Sequence, residues 1–156
     1  MVCAGIQKSR VVMWQYLDGK WNGDAAEDVY RTAIAKVLRR LAPTKAKPLI
    51  LEDNDPVGYK SSKAVRAKKE LGFRVMSLPR YSPDLNPLDF FLWKDIEGRM
   101  TESAPKSRKE ALDEFKMRLR KTAFATSRVL IAKAVGAMKK RIAAVYAAKG
   151  GHITMD

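Results

Sequence analysis

Residues 81–93, Tyr81-Ser82-Pro83-Asp84-Leu85-Asn86-Pro87-Leu88-Asp89-Phe90-Phe91-Leu92-Trp93, are the stretch on which the reading of this chain turns. Asn86 is suited to cap a helix and Pro87 to open it, since a first-turn proline lacks only an N–H that would go unused. Asp89 then stands in the first turn. If the helix is regular, Asp89, Leu92, Trp93, Ile96 and Met100 share one face at i, i+3, i+4, i+7 and i+11. An acid thus heads a stripe that is otherwise apolar. Alone, such an acid merely complements the positive end of the helix dipole. A second acid upstream changes its weight.

That acid is Asp53, at the end of Pro48-Leu49-Ile50-Leu51-Glu52-Asp53-Asn54-Asp55-Pro56. The run reads as a short buried strand emptying into a polar turn. In open α/β sheets, ligands collect just outside the carboxyl ends of strands. A carboxylate on a strand end and another on a helix start are hard oxygen ligands suited to divalent cations. Thirty-five residues separate the two, enough for a helix, a strand and a turn. Shared coordination requires the side chains to lie within about 10 Å of each other. The plain alternative for Asp53-Asn54-Asp55 is an Asx-rich turn.

Taken together, these pieces resemble the catalytic region of mariner-type DDE/D transposases. The resemblance is carried by Leu51-Glu52-Asp53-Asn54, by the apolar strand before Pro79, and by Tyr81 through Asp89 with Trp93 following. The tail from Met138-Lys139-Lys140-Arg141-Ile142 to Gly150-Gly151 resembles the family's last helix. The resemblance implies an RNase H-like α/β fold, a mixed sheet with flanking helices and a helical C-terminal extension. It implies that Asp53 is the second catalytic carboxylate and Asp89 the third, both binding Mg²⁺ or Mn²⁺ in a two-metal centre that cuts and joins DNA. DNA is the implied partner, pairing into a homodimer is an implied option, and the setting is intracellular, the nucleus in a eukaryote.

Two departures from the family pattern stand out. The first catalytic Asp sits, in relatives, on a central strand ahead of the one matching Met1–Ile6, and this chain has no counterpart. Asp18 belongs to a hairpin turn, and Asp24, Glu27 and Asp28 to a helix start. The expectation is a truncated or degraded copy, inactive as residues 1–156, with an unfilled slot or re-paired strands. The other departure is Gly58, where relatives often carry His nearby. The competing reading is a non-catalytic basic nucleic-acid-binding or interaction module that keeps the fold and not the chemistry.

Bulk properties agree with a polyanionic partner. The 156 residues suit one domain, residues 1–150 with a tail at 151–156, and hold 31 Lys and Arg against 17 Asp and Glu, a net charge of +14. Cys3 and His152 are the only cysteine and histidine, which excludes an intrachain disulfide, a Cys-based zinc site and Ser-His-Asp chemistry. No apolar run approaches the roughly 18 residues of a membrane span, and no signal-peptide pattern opens the chain.

Periodicity places strands at Met1–Ile6 and Arg10–Leu17, a helix opening near Asp24 and closed by Pro43, and a strand at Leu49–Glu52. A helix from about Ser61 to Leu71 is stopped by Gly72, and a strand follows at Phe73–Leu78. Lys60, Lys63, Arg66, Lys68 and Lys69 on or beside that helix are candidates for tracking a DNA backbone, or else a solvated face. After the Asp89 helix, Ser107 and Glu110 read as a capping box. A last helix starts near Thr126 or Ser127, with an apolar stripe of Leu130, Ala134, Met138, Ile142, Val145 and Tyr146, and is capped by Gly150-Gly151.

Overall fold

The computed structural model describes residues 1–41, 49–151 and 153. The expected helix stop at Pro43 and most of the tail lie outside them. Contacts divide the chain into two compact units: Met1–Gly5 with Val12–Ser82, and Ile6–Val11 with the residues from Pro83 onward.

β1 (Val2–Gln7) and β2 (Arg10–Tyr16) pair as a two-stranded sheet, of which all but Ile6–Val11 counts with the first unit, and Leu17 N–H donates to Met1 O at 3.0 Å. Both faces of β2 are covered, since neighbouring Met13 and Trp14 are each buried. A helical rod follows as α1 (Gly23–Val29), a wide π turn at Tyr30–Ile34, and α2 (Ala35–Leu41). Its cap is Asn22, whose side chain accepts from Ala25 N–H, and not Asp24 as the sequence suggested. Asn22 stands three residues before the first donor it must satisfy, whereas the Asp24 carboxylate pairs with Lys63.

The rod serves two clusters. Val29 packs with Cys3, Met13 and Leu17, joined by Ala33 and Val37. Ala26 and Tyr30 pack with Ala64 and Ala67 of α3 (Ser62–Glu70), joined by Ile50 and Phe73. Those three alanines are fully buried, so α1 and α3 approach closely. β3 (Leu49–Glu52) pairs in parallel with β4 (Arg74–Ser77), Leu49 opposite Arg74 and Glu52 opposite Ser77. Gly72 makes the turn between α3 and β4 at a φ of 72°, which disfavours any other residue.

Two sequence expectations are corrected in this unit. The strands form two separate pairs among the described residues, not one continuous mixed sheet. And β3 is not buried on both faces: Leu49 is 55% exposed and Met76 of β4 55%. Parallel strands normally need cover on both sides. Here Ile50 and Glu52 face the helices, while Leu49 and Leu51 have no such cover.

In the second unit, a π turn at Leu88–Leu92 leads into α4 (Trp93–Glu102), followed by α5 (Leu112–Phe124) and α6 (Arg128–Ala147). Leu92, Ile96 and Met100 are buried as a stripe of spacing four. Arg118 of α5 fastens the end of α4: it grips Glu110 through two bonds of 2.7 Å and donates to Met100 O at 2.7 Å. That use of Glu110 removes it from the expected capping box. Glu114 reaches back to Ala111 N–H instead, at 3.2 Å, and α5 starts there.

The stripe expected on α6 is covered only in part, with Met138 and Val145 half-buried. Ile131 and Ala134 are buried, whereas Leu130 is exposed, Ile142 is 53% exposed and Tyr146 86%. The C-terminal stop is as expected, with Gly150 at a φ of 86° and its N–H on Val145 O at 2.9 Å.

The most consequential buried polar group is Glu52. Its two oxygens accept from the Tyr30 hydroxyl and, at 2.7 Å, from Lys68 Nζ, which also donates to Tyr59 O at 2.8 Å. Removing one partner of a buried pair strands a charge, so Lys68→Met is expected to cost about 3–5 kcal/mol. Adding Glu52→Gln removes the stranded charge while leaving an acceptor for Tyr30, so the double variant should recover part of that loss. Urea unfolding midpoints of the two variants check it, and equal stability of single and double variants would contradict the pairing.

Candidate functional site

Asp53 is presented by the strand end that Glu52 anchors. Successive side chains of an extended chain point to opposite sides, so fixing Glu52 inward turns Asp53 outward, where it is exposed. The backbone is held as well, because Glu52 O accepts from Leu78 N–H at 2.9 Å. Asp53 Oδ1 accepts from Asn54 N–H at 2.7 Å. The bond reaches only the next residue, one short of the Asx turn that the polar run suggested, and the carboxylate stays at the surface.

The loop beyond Asp53 is built around Trp21. Its indole N–H donates to Asp55 Oδ2 at 2.8 Å, and the same oxygen accepts from Gly58 N–H at 2.6 Å. Tyr59 meets the Trp21 ring edge-on at 4.9 Å between centroids. A Cβ on Gly58 would overlap the Trp21 indole nitrogen. The departure at position 58 therefore has a steric cause: the indole occupies the space a side chain would need. Burial, with the Glu52 carboxylate adding to it, pushes the Tyr30 phenol well above its usual range; burial does the same for Tyr59, beside Cys3. Both stay protonated, and Tyr30 donates to Glu52.

Asp89 is set by the turn before it. Pro83–Leu85 form a single 3₁₀ turn, and Asn86 then caps as the sequence indicated: its Oδ1 accepts from Leu88 N–H at 3.1 Å, and Pro87 opens the helix. Asn86 O accepts from the N–H groups of Asp89 and Phe90 at 2.9 and 3.1 Å, and its Nδ2 donates to Asp89 Oδ2 at 2.8 Å. Asn86 thus fixes both the backbone and the carboxylate of Asp89. The expected single face does not survive, because the π turn at Leu88–Leu92 is wider than a regular one. Asp89 is exposed, while Leu92, Ile96 and Met100 keep the buried stripe and Trp93 is half-buried.

Arg141 is the supporting residue that sequence alone misplaced. Set among Lys139 and Lys140, it has nothing in composition that separates it from them. Its guanidinium instead lies 3.8 Å from the Phe90 ring centroid and donates to Asp84 O at 3.2 Å. It clamps the residues on both sides of Asn86. The only signal was its place on the same helical face as Ile131, Ala134 and Met138.

The candidate phosphate-binding residues of α3 divide sharply. Lys68 is buried on Glu52, which takes it off the surface. Lys63 pairs with Asp24, Arg66 with Glu27 at 3.4 Å and Glu70 at 3.9 Å, and Lys60 bonds Ser77 Oγ. Lys69 is exposed.

Asp53 belongs to the first unit and Asp89 to the second, and each offers the hard oxygens that Mg²⁺ or Mn²⁺ prefers. Among the described residues, no group of three or more His, Cys, Asp and Glu side chains is placed to hold a metal ion. No helix is long and apolar enough to cross a membrane among the described residues.

No family model and no curated protein sequence matches the chain. Solved structures do. The fold is similar to the catalytic domain of Mos1 mariner transposase, with a TM-score of 0.84 and 18% identity, covering 98% of this chain and 75% of that one. The same domain with Raltegravir and Mn matches at 0.84 and 18%, covering 98% and 76%. The Mos1 mariner paired end complex with Mn matches at 0.79 and 18%, where the shares are 98% and 44%. The likeness establishes the fold.

The Trp21–Gly58 contact makes a direct prediction. Gly58→Ala forces the indole off Asp55, so it should destabilise the protein by about 3 kcal/mol and lower Tm by roughly 6–12 °C. Gly98→Ala, at a helix position with nothing near the added Cβ, should leave Tm unchanged or raise it. A neutral Gly58→Ala in thermal melts would refute the packing described.

Proposed function

We propose that this chain is part of a mariner-type transposase catalytic domain, with Asp53 and Asp89 as the second and third carboxylates of its DNA strand-cleavage and strand-transfer centre. The observation that carries the reading is a fold likeness spanning 98% of the chain at a TM-score of 0.84. Its support at residue level is independent of the fold: the two motif acids are exposed, one at a strand end and one in a helix's first turn. Solved relatives of this fold are described with Mn, with Mg and as paired-end and strand-transfer complexes. The partner is accordingly DNA and the cofactor Mg²⁺ or Mn²⁺.

A divalent cation on these carboxylates would activate a water or a 3′-hydroxyl and offset charge on the leaving oxygen. The chain's own residues hold the donors in place. Glu52, clamped by Tyr30 and Lys68, sets the direction of Asp53. Asn86 orients the Asp89 carboxylate, and Arg141 braces the turn on either side of it. Asp at position 89 is one methylene shorter than Glu, so this bracing matters more than it would for a longer side chain.

Residues 1–156 provide two of the three carboxylates such a centre needs, and we propose that they are inactive by themselves. The expected outcome is no DNA nicking above background with Mg²⁺ or Mn²⁺. Adding a family-like N-terminal strand bearing an Asp should restore Mn²⁺-dependent nicking, and Asp53→Asn or Asp89→Asn in that extended chain should abolish it. Nicking of supercoiled plasmid gives the readout. Metal-dependent cleavage by the unextended chain, lost on either substitution, would mean that an acid within it completes the site. Nicking by the extended chain that survives both substitutions would overturn the assignment of Asp53 and Asp89.

A further inference from the structure

The excess positive charge does not lie where the pattern of α3 first suggests. In that helix Lys63, Arg66 and Lys68 are each matched by an acid of the same unit. From Phe115 to Met155, by contrast, the sequence holds ten Lys and Arg and no Asp or Glu. Helix α6 carries five of the ten within its 20 residues. One of them, Arg141, is turned inward on Phe90 and Asp84. The other four, Arg128, Lys133, Lys139 and Lys140, are exposed and have no hydrogen bond or ion pair among the described residues.

Their arrangement is linear. Lys133 and Lys140 lie seven residues apart, two turns, on the side of α6 turned away from buried Ile131 and Ala134. Arg128 and Lys139 run beside them, three turns apart. At 1.5 Å per residue the helix is about 30 Å long, roughly nine base pairs of duplex at 3.4 Å each. Cations spread along a rod, with no acid among them, match a linear polyanion better than a compact acidic pocket. A second copy of the chain is disfavoured on the same ground, since two such faces would oppose cation to cation.

We infer that the outward face of α6 is a docking surface for duplex DNA, holding the phosphate backbone without reading bases. The inference rests on the DNA partner of the proposed function and adds where that partner is held. Phosphate contacts of this kind position a protein and release counterions, which makes the binding steeply salt-dependent and indifferent to sequence. The helix so engaged also carries Arg141, so the surface that grips DNA is continuous with the side chain that braces the turn around Asp89.

The test is a fluorescence anisotropy titration of a labelled 30-base-pair duplex over a series of KCl concentrations, using the full chain. Arg128→Gln/Lys133→Gln/Lys140→Gln removes three cations and should flatten the slope of log K against log[salt] by about 2.7. Lys60→Gln/Lys63→Gln/Lys69→Gln, on and beside α3, should flatten it by less than about 1. Circular dichroism melts establish that both variants fold. An unchanged slope in the α6 variant, or the larger loss in the α3 variant, overturns the surface. No binding by the unaltered chain at low salt overturns the surface and the DNA partner together. Displacement of the duplex by poly-glutamate at equal charge concentration would replace DNA with an acidic peptide and also overturn it. Plasmid nicking by the extended chain reports the catalytic centre separately from this titration, so failure of the chemistry and failure of the surface are told apart.

Discussion

The first unit depends on one buried carboxylate. Glu52 sits at the last position of β3, with the Tyr30 hydroxyl on one oxygen and the Lys68 ammonium on the other. These three residues come from a strand, the π turn in the helical rod and α3, so one side chain ties together three elements that sequence separates. A buried ion pair adds little net stability, because desolvating both charges offsets most of their attraction. Its effect is on register. A one-residue slip of β3 would put Asp53 inside and Glu52 at the surface, leaving Lys68 without its carboxylate. The direction of Asp53 follows from the cost of that alternative.

The second carboxylate is held by different means. Asn86 uses its backbone carbonyl, its amide oxygen and its amide nitrogen on the first turn of the helix. Arg141 then closes the turn from the outside by stacking on Phe90 and bonding Asp84 O. In both places the acid itself does little structural duty, and the residue next to it or three before it does the holding. That division leaves the two acids at the surface.

Much of this was legible from the residues. Strand alternation, the Asn86-Pro87 helix start and the glycine stops at 72 and 150 follow from local steric and hydrogen-bonding rules, and the structure has them within a residue or two. What could not be read has physical reasons. A π turn leaves no mark on apolar spacing, so the regular stripe drawn from Asp89 to Met100 misplaced the acid relative to Leu92. Lys68 looks like its neighbours Lys69 and Arg66 in composition, and only the position of Glu52 in space draws it inside. Asn22 and Asp24 are both good caps; which one acts depends on where the chain leaves its loop, and on Lys63 taking up the second. The stripe on α6 is broken at Leu130, Ile142 and Tyr146, which are exposed, because the packed face is instead the one that carries Ile131, Ala134 and Arg141. The single sheet expected from the strand order resolves into two pairs, and β3 keeps an apolar side with Leu49 and Leu51 in solvent. Exposed apolar strand surface of this kind favours pairing with other chains unless something covers it.

The contact of Trp21 with Gly58 also restricts the order in which this protein can change. A residue with any side chain at position 58 is compatible only with a smaller residue at 21, because the indole fills the space. Shrinking Trp21 first opens a void next to Tyr59 and removes a partner from Asp55, a loss the fold can absorb in part. Enlarging Gly58 first drives two rigid groups into the same volume. Of the two routes to a histidine near the Asp53 loop, then, one passes through a loosened protein and the other through an overpacked one. Any lineage or designer restoring that side chain must begin at tryptophan, thirty-seven positions away in sequence.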